Sequence, residues 1–378
     1  MFSKRVSAAL RPPAPPLEKV RMERAKAHRR PANRAAAKDD IDGVVRGVVA
    51  GLRATKIGKE SSVQLFGEDT EADVREWIST GFPNIDAIFG GGWPVGRISE
   101  LSGAEASGKS ALADFSIVQV QKMGGYAVVL DFENTRTKDR LVQCGADLNR
   151  IVFPRPQTAE QGWEIVWRLM DEIVGQKNKP PVLFVWDSLG GTDIEDADQP
   201  GGLARVMSKH LRRLYHRAPS VRAHFLFVNQ ERDKFGGRSF IRETDTPGGR
   251  ALKFACTIRA QCRAWYLPRK GVPKTGLCCS VRTIKNKVVA PNQSTQWVLD
   301  FAHGPSPELT ALHHGLETRW VKTVSGLYTC PLLGRVSRAE WVARLRGDSD
   351  LARQVWDELR RRSAGPAGDD DDDDDDEC

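Results

Sequence analysis

The residues Gly103, Ala104, Glu105, Ala106, Ser107, Gly108, Lys109 and Ser110 spell G-x-x-x-x-G-K-S, a string that few folds can use. Before it, Arg97 to Ser102 reads as a short buried strand. After it, Ala111 to Met123 carries Leu112, Phe115 and Val118 at helical spacing with no proline. In a strand–loop–helix setting the glycines let the backbone wrap, so that successive N–H groups and the helix N-terminus converge on a polyphosphate. Lys109 is then expected at the β/γ-phosphates and the Ser110 hydroxyl on Mg²⁺, with a nucleoside triphosphate, ATP above all, as the implied ligand. The bland alternative is a glycine-rich turn with a stray lysine.

At 378 residues and 40% apolar, the chain suits one large domain with appendages, or two domains. No apolar run approaches the roughly 18 residues of a membrane span, so no membrane is expected as partner. Seven cysteines without regular spacing argue against a disulfide framework. A reducing, cytoplasmic compartment is the simplest expectation. The net charge of +8 hides an asymmetry: Asp369 to Asp376 with Glu377 carry nine negative charges, which leaves +17 on the rest. A body that basic points to a polyanionic partner, most often nucleic acid. The acidic end is either a solubility aid or a competitor for the same surface.

Residues 1–38 are rich in Arg, Lys, Ala and Pro and read as a disordered basic arm. Their composition also resembles an organellar transit peptide, so import stays open. Over residues 39–75, Ile41, Val45, Val48 and Leu52 repeat on one helical face behind an Asp40 cap, and Val63 to Phe66 reads as a strand. Between residues 76 and 304 strand signals (Tyr126–Asp131, Ile151–Phe153, Val182–Asp187, His224–Asn229) alternate with helical ones (Ala159–Ile173, Leu203–His216). The predicted class is therefore α/β, a mainly parallel twisted sheet covered by helices. Cys256–Trp265 and Leu277–Lys287 are expected to extend that sheet antiparallel. Residues 305–362 read as a small separate α+β unit ending in a helix interrupted near Gly347 and Asp348; 363–378 form an acidic tail.

A phosphate loop needs a carboxylate at a strand end for the metal shell, and Asp187 closes the apolar run from Val182. Hydrolysis needs a group that orients or deprotonates water; Glu133, just past the strand ending at Asp131, ranks first and Asp131 second. Asn229 and Gln230 end a third strand, where an amide can report the γ-phosphate without adding charge. Glu231 to Thr246 then sets Arg232, Lys234, Arg238 and Arg242 around Phe235 and Phe240, a mixture suited to single-stranded nucleic acid. Gly190 to Gly202 is a second long loop, leading into a helix that carries Arg205, Lys209, Arg212 and Arg213. A solvated basic face is the plain account of that helix.

Taken together, these residues resemble the bacterial RecA recombinase family from about Ile41 to Arg362. The motifs that carry the resemblance are Ser79-Thr-Gly81 with Asp86, Gly103–Ser110, Asp131-Phe-Glu133, Trp186-Asp-Ser188, Asn229-Gln230, Gly248 through Phe254, and Lys285-Asn-Lys287 running on to Pro291. The resemblance implies a RecA-like ATPase core, an N-terminal helix and strand that pack on a neighbouring copy, and a homo-oligomeric helical filament. It implies Glu133 as catalytic base, Gln230 as the switch to the DNA loop, and Ser188 beside the nucleotide. Lys285 and Lys287 would reach a neighbour's triphosphate and do an arginine finger's work. Both long loops would bind DNA, with Arg205, Ser208, Arg212, Gly248, Gly249 and Arg250 near its phosphates. The acidic end resembles the family's regulatory tail.

Two departures stand out. The segment from Asn134 to Arg140 lacks the acidic residue and the tyrosine that usually frame the adenine, and Arg140 is expected to stack on the base instead. The first 38 residues have no counterpart. The implied activity is ATP- and Mg²⁺-dependent filament formation on single-stranded DNA, pairing with homologous duplex DNA and strand exchange, with DNA-stimulated ATP hydrolysis. The rival readings are a scaffolding paralogue serving a repressor or polymerase, and, more weakly, a ring helicase. Loading factors are a further class of partner.

Overall fold

The computed structural model describes residues 41–56, 74–196, 201–233, 244–267 and 275–363. The chain divides into two compact units, residues 1–73 with 364–378 and residues 74–363. In the first, helix α1 (Ile41–Ala54) leaves Val45, Val48 and Leu52 of the expected apolar face exposed, and Val44 beside them. The basic arm, Asp40, the Val63–Phe66 strand and the acidic tail lie outside the described residues.

The second unit opens with β1 (Trp77–Ile78), α2 (Pro83–Phe89) and β2 (Trp93–Pro94), β1 and β2 pairing antiparallel. There follow β3 (Ile98–Gly103), α3 (Lys109–Lys122), β4 (Tyr126–Asp131), α4 (Lys138–Gln143) and β5 (Ile151–Val152). Next come α5 (Ala159–Val174), β6 (Val182–Asp187), α6 (Gly202–Arg217) and β7 (Ala223–Gln230). A short antiparallel pair, β8 (Arg232–Asp233) and β9 (Thr244–Asp245), precedes α7 (Gly249–Ala255). Then β10 (Ile258–Leu267), β11 (Gly276–Asn286), β12 (Ser294–Asp300) and β13 (Gly304–Ser306) complete the main sheet.

That sheet has nine strands in the order β13-β12-β11-β10-β3-β7-β6-β4-β5. From β10 to β5 every neighbour is parallel, and the helices between them provide the crossovers. One expectation is corrected here. The run beginning at Cys256 joins β3 in parallel, because α7 carries the chain back across the sheet first; antiparallel pairing starts only between β10 and β11.

Parallel strands covered on both faces read as nearly continuous apolar runs, as β4, β6 and β7 do. Alternate residues serve opposite layers. Val129, Leu183, Val185, Leu226 and Val228 pack with Phe82, Leu112 and Ile117 of the α2–α3 side. Val128, Leu130, Phe184, Trp186, Phe225 and Phe227 pack with Trp163, Met170, Met207 and Leu211 of the α5–α6 side. Each fully buried side chain of this size stabilises the fold by about 1.5–3 kcal/mol.

Beyond the sheet lie α8 (Pro307–Glu317), the small sheet β14 (Lys322–Val324), β15 (Leu327–Cys330) and β16 (Gly334–Val336), then α9 (Arg338–Gly347) and α10 (Ser349–Ser363). Their core of Trp320, Trp341, Trp356 and Leu359 includes Val298 of β12, so this unit packs on the sheet's antiparallel edge. The helical interruption falls where the sequence places it. Asp348 Oδ1 accepts the N–H groups of Asp350 and Leu351, both at 2.9 Å, and so starts α10 afresh.

Candidate nucleotide and DNA site

Parallel pairing brings the carboxyl ends of β3, β4, β6 and β7 to one edge: Gly103 stands opposite Gln230, and Asp131 opposite Asp187. The phosphate loop leaves β3 there and enters α3 through Gly108, whose φ of +85° lies in the left-handed region. A Cβ on Gly103 would lie 2.3 Å from the Cys262 carbonyl oxygen, so no larger residue fits that close approach. The 14-residue α3 thus presents its unpaired N-terminal N–H groups to the loop.

Lys109 is buried, and its Nζ donates to the carbonyls of Gly103 at 3.0 Å and Ala104 at 2.6 Å and to Ser107 Oγ at 3.2 Å. Burial pulls its pKa down, against the nearby charges of Asp187, Glu133 and Glu231. Beside the loop runs a cleft of about 450 Å³ lined by Glu105 through Ala111, Thr135, Arg140, Gln143, Cys144, Leu277 and Leu299 to Phe301 and Gly304. Arg140, the residue expected at the base, and Ser110 both line this cleft.

Three strand ends meet at Glu133. Its Oε1 accepts the Ser188 hydroxyl in a short contact and the Gln230 side-chain amide at 3.0 Å. Asp131, the second-ranked base, turns the other way: it is buried and its Oδ2 accepts the backbone N–H of Arg136 at 3.2 Å. Asp187 is buried and ion-paired with Arg136 Nη2 at 2.9 Å. Burial alone would lower the Arg136 pKa, but Asp114 and Asp187 hold it above its ordinary value.

Mg²⁺ is a hard cation that keeps several waters and takes few protein oxygens, completing its shell from substrate phosphates. The Ser110 hydroxyl and the Asp187 carboxylate supply that donor type. Among the described residues no cluster of three or more His, Cys, Asp or Glu side chains is placed to hold a metal ion by itself.

On the DNA side, Asn229 Nδ2 donates to Glu100 Oε1 and to the Pro247 carbonyl, both at 2.8 Å, which ties the residue just past the Glu231–Thr246 segment to the sheet. Gly248 and Gly249, both with positive φ, start α7, and Gly249 lies against Ala204 of α6. Along α6, Arg205 and Arg212 are exposed, Ser208 Oγ accepts from Arg212 Nη2 at 3.3 Å, and Arg250 is exposed on α7. Arg232 pairs through its backbone with Asp245. Lys234, Arg238, Phe240 and Arg242 lie outside the described residues.

Lys285 and Lys287 stand at the other end of the sheet. Lys285 pairs with Arg259, which pairs with Glu100, about 10 Å down β3 from Gly103 at the usual strand rise. Lys285 Nζ donates to the carbonyls of Lys253 at 2.6 Å and Phe254 at 3.0 Å, at the C-terminal end of α7. Lys287 Nζ reaches the Phe254 carbonyl at 3.5 Å.

Sequence reading missed Asp114 and Arg136. A carboxylate inside a helix buried on nearly every side demands a partner, and that requirement was the available signal for Asp114. Among the described residues every cysteine is a free thiol, Cys278 and Cys279 lie buried in β11, and no helix is long and apolar enough to cross a membrane.

The family described as the RecA N-terminal domain matches residues 53–306. Among curated relatives, Protein RecA of Thermotoga neapolitana is 32% identical over 317 residues, covering 80% of this chain and 87% of that protein. Protein RecA of Thermotoga maritima is 36% identical over 253 residues, 65% of this chain and 69% of its own. A plasmid-borne Protein RecA of Lactococcus lactis is 30% identical over 277 residues, covering 72% and 79%. Neither the match nor these names point to a scaffolding paralogue or a ring helicase. With this match and these relatives, the chain belongs to the RecA family and is a recombinase.

Proposed function

We propose that this recombinase hydrolyses ATP under the control of single-stranded DNA, in a helical filament whose active sites are completed between neighbouring copies. In that filament the bound strand is paired and exchanged with homologous duplex DNA in the cytoplasm. The observation that carries the reading is the meeting of Glu133, Ser188 and Gln230 beside the phosphate loop. It gives one carboxylate a partner at the head of each long loop.

In this reading the triphosphate lies along Gly103–Ser110. Lys109 exchanges its loop carbonyls for β/γ-phosphate oxygens, a stronger charge-assisted pairing. Ser110 and Asp187 would hold Mg²⁺, which offsets phosphate charge when bound. Glu133 orients a water for in-line attack on the γ-phosphorus and takes its proton, while the bond to the ADP oxygen breaks. Gln230 reports the γ-phosphate by trading its bond to Glu133 for one to phosphate. The sheet register favours action of Lys285 and Lys287 on another copy's nucleotide, because both point away from their own loop.

DNA phosphates would meet Arg205, Ser208, Arg212 and Arg250 and the N–H groups near Gly248 and Gly249. Arg232, Lys234, Arg238, Phe240 and Arg242 would supply further cations and a stacking ring. The test is ATP turnover and electron microscopy with and without single-stranded DNA across a salt series. DNA should raise turnover and yield filaments, with affinity falling steeply as salt rises. Turnover indifferent to DNA, without filaments, would refute the proposal.

A further inference from the structure

Four charged side chains run without a break from the carboxylate at the metal end of the site to the wall of the nucleotide cleft. Asp114 is fully buried on α3, one turn beyond Ser110. Its Oδ1 meets Arg136 Nε at 2.7 Å and its Oδ2 meets Arg140 Nε at 3.1 Å. The Arg136 side chain is only 1% exposed, and it continues to Asp187 Oδ2 at 2.9 Å. The Arg140 side chain is 40% exposed and lines the cleft together with Phe301 and Gly304.

Arg136 alone faces three buried carboxylates, Asp114, Asp187 and Asp131, so Arg140 also offsets buried negative charge there. Sharing both oxygens of a rigid, buried carboxylate fixes the two guanidinium groups relative to one another. A displacement of Arg140 at the cleft is then felt by Arg136, the cation beside Asp187. A guanidinium also offers a flat cationic face, which attracts any nucleobase but has nothing to offer a bare polyphosphate.

We infer that Asp114 is a positioning residue that couples the base end of a bound nucleotide to its metal end, holding Arg140 at the base and Arg136 at Asp187. The coupling rests on the reading of Gly103–Ser110 as a triphosphate site. It makes the site selective for nucleoside triphosphates over bare polyphosphate while tolerant of which base is present.

The test is competition of ATP, GTP, CTP and inorganic tripolyphosphate against a fluorescent nucleotide on the full-length protein, each across a Mg²⁺ titration. Wild-type protein should prefer the three nucleotides to tripolyphosphate by about tenfold, as stacking on a cation allows, with little difference among bases. Asp114→Asn should lose most of that preference and also move the Mg²⁺ midpoint by about threefold or more. Arg140→Ala should lose the preference, and adding Asp114→Asn to it should cost no further preference.

Because Asp114→Asn strips Arg136 of a partner, Asp114→Leu with Arg136→Leu is the second variant. It removes the fork without stranding Arg136, but it also takes the cation from the buried Asp187, so the base preference is its readout and should be lost. Melting curves verify that each variant is folded. A folded variant that keeps either the base preference or the wild-type Mg²⁺ midpoint overturns the coupling alone. Wild-type protein that binds neither ATP nor tripolyphosphate overturns the phosphate-loop reading and the coupling with it.

Discussion

Gln230 donates its side-chain amide to Glu133 Oε1 at 3.0 Å, joining the ends of two strands across 97 residues of sequence. Only parallel stacking of β4, β6 and β7 brings those ends together. The contact links the group proposed to activate water with the residue that leads into the Glu231–Thr246 segment. Glu133→Gln should therefore keep nucleotide binding while turnover falls by about 10²–10⁴-fold, the usual worth of a general base. Gln230→Ala should bind nucleotide and single-stranded DNA but lose stimulation of turnover by DNA. Equilibrium nucleotide binding beside steady-state phosphate release distinguishes the two. Equal turnover in wild type and Glu133→Gln would remove Glu133 from the chemistry.

The distance of Lys285 from its own phosphate loop leads to a mixing experiment. A Glu133→Gln protomer retains its lysines, and a Lys285→Ala, Lys287→Ala protomer retains its carboxylate. Alone, each should be nearly inactive with DNA present. Mixed in equal amounts they should recover turnover, because about one quarter of the seams in a random head-to-tail filament would join an intact carboxylate to intact lysines. Phosphate release by the mixture measures this directly. If mixing restores nothing while both variants still form filaments, the lysines do not act across a seam.

Much of the core was legible because its signals are local. The strand ending at Gly103, the glycines of the loop and the continuous apolar runs of β4, β6 and β7 each follow from steric and burial rules acting over a few residues. The pairing of β10 was not legible, since its direction depends on α7, a seven-residue helix too short to announce itself by periodicity. The fork at Asp114 was hidden for another reason. Arg136 and Arg140 lie 22 and 26 positions beyond Asp114, on a polar loop and the short helix α4, and nothing in these segments specifies the partner. The trans reading of Lys285 and Lys287 came from family resemblance, and strand register then gave it a physical argument.

His224 gives the fold a predictable acid sensitivity. It is fully buried in β7, stacked on Trp93, with Nδ1 2.8 Å from the Pro94 carbonyl and Nε2 without a partner. The carbonyl can only accept, so Nδ1 carries the proton of the neutral ring. Burial pushes its pKa down to about 4. The folded state thus resists a proton that the unfolded chain takes up near pH 6.5, and between those values the unfolded state binds more protons. The stabilisation from keeping the ring neutral is complete above pH 6.5 and is lost as pH falls through 4, on the order of 3 kcal/mol. Urea denaturation from pH 4 to 7 should show that decline, and His224→Gln should flatten it. An unaltered slope in the variant would place the acid sensitivity elsewhere.

Gly108 and Gly124 share a left-handed backbone, with φ of +85° and +76°, but their surroundings differ. A Cβ at Gly108 would lie 2.8 Å from Cys279 Sγ and 2.9 Å from Trp297 Cζ2, whereas at Gly124 nothing lies within 4 Å. Gly124→Ala should therefore cost only the left-handed penalty of about 1–2 kcal/mol. Gly108→Ala adds a clash with two fully buried side chains, which belong to β11 and β12 and cannot withdraw without opening the sheet's antiparallel half. Overpacking of this kind costs about 1–3 kcal/mol more. The strain also falls on the residue before Lys109, so Gly108→Ala should weaken nucleotide binding as well as stability, and Gly124→Ala stability alone. Denaturation midpoints and nucleotide affinity on both proteins settle the comparison. Equal losses in the two would mean that the loop's left-handed turn, and not its contact with Cys279 and Trp297, is what demands glycine.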